Sequence, residues 1–397
     1  MDILGRFYTS NIISNLLVDN FESKSPKKIL DLGLGDASLS IAAYSKWETA
    51  KYFGTEIEKH KVETLNKSLS FIKVFNYDTL NPNTSKRLQI KFGQIDIAIC
   101  NPPYIKVEDK SQYIKLFREI GCDKFNKLKR ITSEIVFFAH NIKLLKRKGE
   151  LGIIVSDSLI TGKDFKIFRE TIFENFNVKT IIQLPDNIFN KTEARTHIVF
   201  ISKSKSKSKT CKLLLSSTEG TLSDEIIVEN TDLIERMDYH FYNKITLIST
   251  KLKTLNDIGA KIRRGKYSYK QLRLSNTKYF HSTDFKYNND KLYFKKSKND
   301  DLIDVMAKKG DVLMCRVGKR IVGRFAVIKS GSIVHSDCIY KITVPQKYLN
   351  SLINSLNSDE GKIWISAYIH GVCSQVLSKS DLENFPLFQF PTDEKDS

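Results

Sequence analysis

The chain reads as an α/β protein: a parallel sheet with helices on both faces, followed by a separate mixed α+β domain. Three observations predict this. Apolar runs alternate with amphipathic stretches over residues 1–202, the pattern of strands separated by crossover helices. A charged low-complexity run, "SKSKSKSK" at 202–209, then interrupts the pattern, as a linker or a long exposed basic loop would. Beyond residue 229 the apolar runs become shorter and richer in aromatics, with Gly between them. A length of 397 residues suits two domains. The expected division is a first domain at 1–202, a basic linker or loop at 203–228 and a second domain at 229–397.

In the first domain "KKILDLGLG" is a strand running into a Gly turn, "AKYFGTEIE" a second strand ending on acids, "FIKVFNYDTL" a third and "IDIAIC" a fourth. "ITSEIVFFAHNIKLLKRKGE" carries Ile135, Phe138, Ile142 and Leu145 at helical spacing and stops at Gly149. "LGIIVSDSLI" is another strand, "KDFKIFRETIFENF" a helix, and "VKTIIQLP" and "HIVFISK" close the sheet. In the second domain "KYFHSTDF", "GDVLMCRVG", "GRFAVIKSG" and "CIYKITV" are short strands. "YLNSLINSLNSDEGKIWISAYIHG" reads as one helix.

Composition narrows the function classes. No run of 18 apolar residues exists, so no membrane span is expected. The N-terminus carries no export pattern. The six cysteines are scattered, without CxxC or zinc spacing, which fits free thiols in a reducing cytoplasm and no structural metal. The excess of 64 Lys+Arg over 45 Asp+Glu, a net +19, points to a polyanionic partner. A bacterial or archaeal cytoplasmic protein associated with the nucleoid is the expectation.

The strand ends carry the chemistry. In "ILDLGLGDASL", Asp31 precedes Gly33 and Gly35, which let backbone approach a ligand. Glu56 ends the next strand, about twenty residues on, where an acid accepts from ribose hydroxyls. Asp78 ends the third and could accept from an adenine amine. Glu58 is the alternative to Glu56 if the register is shifted. The fourth strand delivers Asn101-Pro102-Pro103-Tyr104 to the same crevice. Proline removes backbone donors and fixes φ, leaving a stiff loop rich in acceptors: the Asn101 oxygen and free carbonyls. Two acceptors suit a primary amine held by both hydrogens, and Tyr104 offers a face for stacking a ring.

These motifs, in this order, resemble the amino-methylating, S-adenosylmethionine-dependent DNA methyltransferases. More narrowly they resemble the N6-adenine class, with the cofactor motif first, Asn-Pro-Pro-Tyr next and a C-terminal target-recognition domain. The resemblance implies a Rossmann-like methyltransferase sheet. It implies that "GRFYT", with Phe7 and Thr9, caps the methionine moiety and that the loop containing Asp31, Gly33 and Gly35 holds S-adenosylmethionine, with Glu56 and Asp78 on ribose and adenine. It further implies that Asn101 to Tyr104 grip the target base and that Phe189 stacks on it. The run Gly33-Leu34-Gly35-Asp36 departs from the Cys-Gly-Thr-Gly-like run common in this class.

"LNDIGAKIRRGKYSY", "KKGDVLMCRVGKRIVGRFAVI" and "GVCSQVLSKSDLENFPL" resemble half of a type I specificity subunit, and the helical segment from "SEIVFFAH" resembles type I modification subunits. Arg263, Arg264, Arg316, Lys319, Arg320 and Arg324 are the candidate contacts to double-stranded DNA. The resulting expectation is sequence-specific adenine-N6 methylation of a flipped base, in a restriction-modification or related defence system, by a monomer or dimer, with a cleaving partner on another chain compatible with the sequence. The alternatives are a methyltransferase acting on RNA or protein glutamine, and a non-catalytic DNA specificity module.

Overall fold

The computed structural model describes residues 9–186, 188, 195–205, 208–246, 248, 252–275, 277–286, 290–295, 306–318, 320–370 and 375–388. Phe7, Phe189 and Lys319 lie outside the described residues. The chain divides into two compact units, Met1–Tyr239 and His240–Ser397.

The first unit begins α1 (Asn11–Asp19), β1 (Lys28–Leu32), α2 (Ser38–Lys46), β2 (Lys51–Glu56), α3 (Lys59–Ser68), β3 (Ile72–Asn76), α4 (Thr84–Phe92) and β4 (Ile95–Cys100). It continues with β5 (Lys106–Val107), α5 (Ile114–Glu119), β6 (Ile131–Thr132), α6 (Ser133–Leu144), β7 (Leu145–Ser156), α7 (Asp157–Thr161) and α8 (Lys166–Asn175). It closes with β8 (Asn177–Gln183), β9 (Thr196–Ser202), β10 (Thr210–Leu215), β11 (Ile226–Glu229) and α9 (Asn230–Leu233). Nine strands form one sheet in the order β11-β10-β8-β9-β7-β4-β1-β2-β3.

The sheet is mixed rather than wholly parallel. β9 runs antiparallel to both β7 and β8, because the chain returns from β8 without a described crossover helix. The segment expected as a linker contributes two strands: β10 pairs parallel to β8 and β11 antiparallel to β10. Cys211 and Leu213 are buried there, so the apolar alternation of "TCKLLL" outweighs the flexible run before it. The helix expected to run to Gly149 ends at Leu144. Lys146 to Glu150 belong to β7 instead, where Lys148 N–H donates to the Lys203 carbonyl at 3.0 Å and Lys203 N–H to that of Gly149 at 2.8 Å.

Helices cover both faces. Ile13, Leu16 and Leu17 of α1, at helical spacing, join Ile29, Ile97, Ile154 and Ile198 from alternating sheet positions. Fully burying Ile13 or Leu17 contributes about 1.5–3 kcal/mol each. Gly152 in β7 is a packing requirement: a Cβ there would stand 2.7 Å from Phe21 Cζ. On the other face α5, α6 and α8 bring Phe117, Phe138 and Phe168 together with Phe125, with Phe138 and Phe168 edge to face at 5.6 Å.

α10 (Tyr239–Ile245) lies at the division. The second unit then runs β12 (Lys261–Arg264), α11 (Tyr269–Arg273), β13 (Tyr279–Phe280), β14 (Asp290–Tyr293), β15 (Met306–Lys308), β16 (Val312–Cys315), β17 (Val317–Gly318) and β18 (Phe325–Ser330). β19 (Ser332–His335), β20 (Ile339–Thr343), α12 (Leu349–Asn357), α13 (Asp359–Tyr368), β21 (Gln375–Val376) and α14 (Lys379–Glu383) follow. A five-stranded sheet, β12-β20-β16-β18-β14, and a three-stranded sheet, β13-β19-β15, give the expected α+β texture. The single helix expected over 348–371 is two. Ser358 ends α12 and caps α13, its hydroxyl accepting from Gly361 N–H at 3.1 Å, and this N-cap supplies the break.

Candidate active site

β3, β2, β1 and β4 lie side by side and parallel, so their carboxyl ends meet at one edge of the sheet. A cleft of about 870 Å3, its open mouth included, follows that edge. Thr9, Asp31, Gly33, Gly35, Glu56, Asp78, Asn101 and Pro103 all line it, with Leu34, Ile57, Leu80 and Phe137 as apolar wall. The strand-end residues singled out from sequence are therefore brought together. Pro102 is buried and Tyr104 half-buried beside them.

The turn after β1 is tied to β2 by its own amides. Gly33 N–H donates to Thr55 Oγ1 at 3.1 Å, Leu34 N–H to the Thr55 carbonyl at 2.8 Å, and Gly35 N–H to Glu56 Oε2 at 3.1 Å. Gly33 has φ +74°, and a Cβ there would stand 2.9 Å from Phe137 Cε1. Glycine thus serves both the turn and the close passage of α6.

Asp31 shares its strand face with Ile29 and is 2% exposed. Its Oδ2 accepts from the buried Ser40 hydroxyl of α2 at 2.9 Å. Burial pushes its carboxyl up to about 8; the Ser40 hydrogen bond opposes this, and the Asp36 and Glu56 carboxylates add to it. Glu56 is also buried, and its oxygens accept from the Gly35 amide at 3.1 Å and the Glu58 amide at 3.0 Å. Each carboxylate oxygen can accept a further bond. Glu58 pairs with Lys61 at 2.8 Å and is not part of the cleft wall. Asp78 is exposed at the mouth, its Oδ1 accepting from Leu80 N–H at 2.8 Å.

Asn101 follows β4 directly. Its amide nitrogen donates to Thr9 Oγ1 at 2.9 Å, and its Oδ1 accepts from the Tyr104 hydroxyl at 3.3 Å. Thr9 therefore steers the asparagine as well as lining the cleft. Burial holds the Tyr104 hydroxyl well above the usual tyrosine range, with Glu134 and Cys100 adding to the shift. The loop's carbonyls are not all free as expected: that of Pro103 accepts from the Ser133 hydroxyl, whereas no described hydrogen bond ends on that of Pro102. Ser40, Thr55, Ser133 and Phe137 are the residues that reading the sequence missed. Each acts on a residue distant in the chain, and nothing local marks it.

In the second unit the six candidate DNA contacts divide. Arg263 and Arg320 are exposed and Arg324 half-buried. Arg264 is committed to Asp337, through Nη2 to Oδ2 at 2.7 Å and Nε to the carbonyl at 3.0 Å. Arg316 Nη1 donates to the same carbonyl at 3.2 Å, and its guanidinium lies 5.5 Å from the Tyr340 ring centre. Two of the six are thus turned onto one aspartate.

The mixed sheet with its single antiparallel insertion, and the strand-end cleft closed by Asn-Pro-Pro-Tyr, define a Rossmann-like methyltransferase domain. The model of the N-6 DNA Methylase family matches residues 2–243, and the chain belongs to that family. It is 24% identical over 218 residues to the methylase subunit of the type I restriction enzyme EcoEI of Escherichia coli, covering 50% of this chain and 42% of that one. It is 28% identical over 212 residues to the type II methyltransferase M.PstI of Providencia stuartii, covering 48% and 39%. The chain spans less than half the length of these curated relatives. Its fold resembles that of the type IIG restriction endonuclease BpuSI, with a TM-score of 0.53 and 15% identity over 97% of this chain and 58% of that one.

Proposed function

We propose that the protein transfers a methyl group from S-adenosylmethionine to the N6 amine of an adenine extruded from double-stranded DNA, as part of a restriction-modification or related defence system. The observation that carries this is the position of Asn101: at the end of β4, on the wall of the same cleft that Asp31, Glu56 and Asp78 furnish with acids. That cleft suits the cofactor. Glu56 has acceptor capacity for ribose hydroxyls, Asp31 would meet a cationic amine, and Leu80 and Ile57 would flank a flat ring. When bound, the cofactor supplies a methyl group activated on a sulfonium.

The chain supplies the acceptor side. The conjugated adenine amine is a weak nucleophile. Asn101 Oδ1 and the Pro102 carbonyl accept its two N–H bonds, which draws the nitrogen toward tetrahedral geometry and frees its lone pair; the N–CH3 bond forms as the methyl–sulfur bond breaks, S-adenosylhomocysteine leaves, and the amine gives up one proton to solvent. Positioning and preorganised dipoles provide most of the acceleration.

The second unit supplies the recognition surface. Residues 261–278 carry seven Lys or Arg and no Asp or Glu. Arg263, Lys266, Lys270, Arg273 and Lys278 are exposed, and among the described residues none pairs with a carboxylate. Lys270 and Arg273 lie three apart on α11, on one face. Such a strip matches the phosphate backbone of a duplex.

The test is expression in a methylation-free bacterial host followed by genome-wide mapping of N6-methyladenine. Adenines marked within one recurrent motif are expected. Asn101→Ala should abolish the mark while purified protein still binds S-adenosylhomocysteine. An Asn101→Ala protein that marks DNA as the parent does would remove Asn101 from the chemistry.

A further inference from the structure

The Asn101–Tyr104 loop is stiff but has few donors with which to fasten itself to the rest of the fold. Pro102 and Pro103 fix φ but have no N–H to donate, so the contacts that anchor the loop come from outside it. The first turn of α6 supplies them. Ser133 is fully buried. Its hydroxyl donates to the Pro103 carbonyl and accepts from Ile105 N–H at 3.2 Å. Its own N–H donates to the Ile105 carbonyl at 3.0 Å. A hydroxyl has one proton to give. The Ile105 carbonyl stands 3.3 Å from the Ser133 oxygen and is already served by the Ser133 amide, so the proton goes to Pro103. The β5–β6 ladder, Lys106 opposite Thr132 and Val107 opposite Ile131, extends the same grip.

The neighbouring residue fixes the end of β7. Glu134 is buried and accepts from Ser156 N–H at 2.8 Å, where β7 gives way to α7. One helical turn thus fastens the loop that leaves β4 and the junction of β7 with α7.

We infer that Ser133 is a positioning residue for methyl transfer: by occupying the Pro103 carbonyl, its hydroxyl fixes where the Asn101 oxygen and the Pro102 carbonyl stand relative to the target amine. The inference rests on the adenine-methyltransferase reading above. Ser133 touches neither substrate nor cofactor; it acts through the loop. A displacement of about 1 Å at a reacting centre costs about a hundredfold in rate, which bounds the effect of releasing it.

The experiment compares single-turnover transfer of tritium-labelled methyl groups to unmethylated host genomic DNA by the parent, Ser133→Ala and Ser133→Thr proteins. S-adenosylhomocysteine affinity is measured on each. Ser133→Ala should slow transfer by roughly 10- to 100-fold with cofactor affinity within about twofold of the parent, and Ser133→Thr, which keeps the hydroxyl, should recover most of the rate. A parent-like rate in Ser133→Ala overturns the inference. So does a loss of cofactor affinity in step with rate, since that marks a purely structural role, and so does a Ser133→Thr protein as slow as Ser133→Ala. A parent protein that marks no DNA overturns the functional reading, and this inference with it; an active parent isolates the test to Ser133.

Discussion

Cofactor binding should depend on pH through Asp31. The residue is buried and its carboxyl ionises near pH 8 in the ligand-free protein, owing first to burial and also to the neighbouring Asp36 and Glu56. At pH 6 the carboxylate form is then about 1% populated, since each pH unit below the pKa is a factor of ten. A ligand whose cationic amine requires that carboxylate, and whose own amine loses its proton near pH 8, binds roughly 20-fold more weakly at pH 6 than at an optimum near pH 8. Calorimetric titration of S-adenosylmethionine between pH 6 and 9 reads this directly. The slope of log affinity against pH should approach +1 well below pH 8, pass through zero near pH 8 and turn negative above it as the ligand amine loses its proton. Repeating the titration at pH 7 in buffers of different ionisation enthalpy should show close to one proton released per cofactor bound. Asp31→Asn should abolish the rise below pH 8. Linkage also fixes the sign for stability: with the folded carboxyl raised above its unfolded value of 3.8, the ligand-free protein loses stability as pH rises from about 4 to about 8, then no further from this group. A parent protein with pH-independent affinity, or an Asp31→Asn variant with the parent's slope, refutes the reasoning.

Two further outcomes are expected. Replacing Lys266, Lys270, Arg273 and Lys278 together by Gln should make the slope of log affinity for duplex DNA against log salt shallower by about 0.9 per phosphate contact, or about 3.6 in all; anisotropy titrations from 50 to 200 mM salt would show an unchanged slope if the strip meets no phosphates. Arg169, fully buried, donates at 2.8–2.9 Å to the carbonyls of Leu159, Gly162, Ile234 and Glu235. Arg169→Met leaves these carbonyls short of a partner and should cost about 3–4 kcal/mol, lowering Tm by roughly 6–16 °C, and a thermal midpoint within 2 °C of the parent, a limit set at about 1 kcal/mol, would refute that role.

The sequence by itself determined which residues stand at the strand ends. An apolar run closed by a polar residue marks the point where a buried strand leaves the sheet, so Asp31, Glu56, Asp78 and Asn101 were legible one strand at a time, and parallel pairing sends all of them to one edge. Three acids and an asparagine on a shared cleft wall required no knowledge of which helix packs where. The glycines at 33 and 35 were legible for the same local reason, although their amides turn out to hold the end of β2.

Tertiary structure decided what restrains those residues. The antiparallel insertion of β9 depends on which strands pair, and the apolar run "HIVFISK" is compatible with either direction. Ser133 meets Pro103 across 30 residues and Arg264 meets Asp337 across 73. A serine on an apolar helix and an arginine on an edge strand look the same in sequence whether they face water or fasten a distant loop. A local pattern reports which side of a helix or strand is buried, but the partner of a hydrogen bond is chosen only when separate elements pack, which is why the site's acids were visible in the chain and its supports were not.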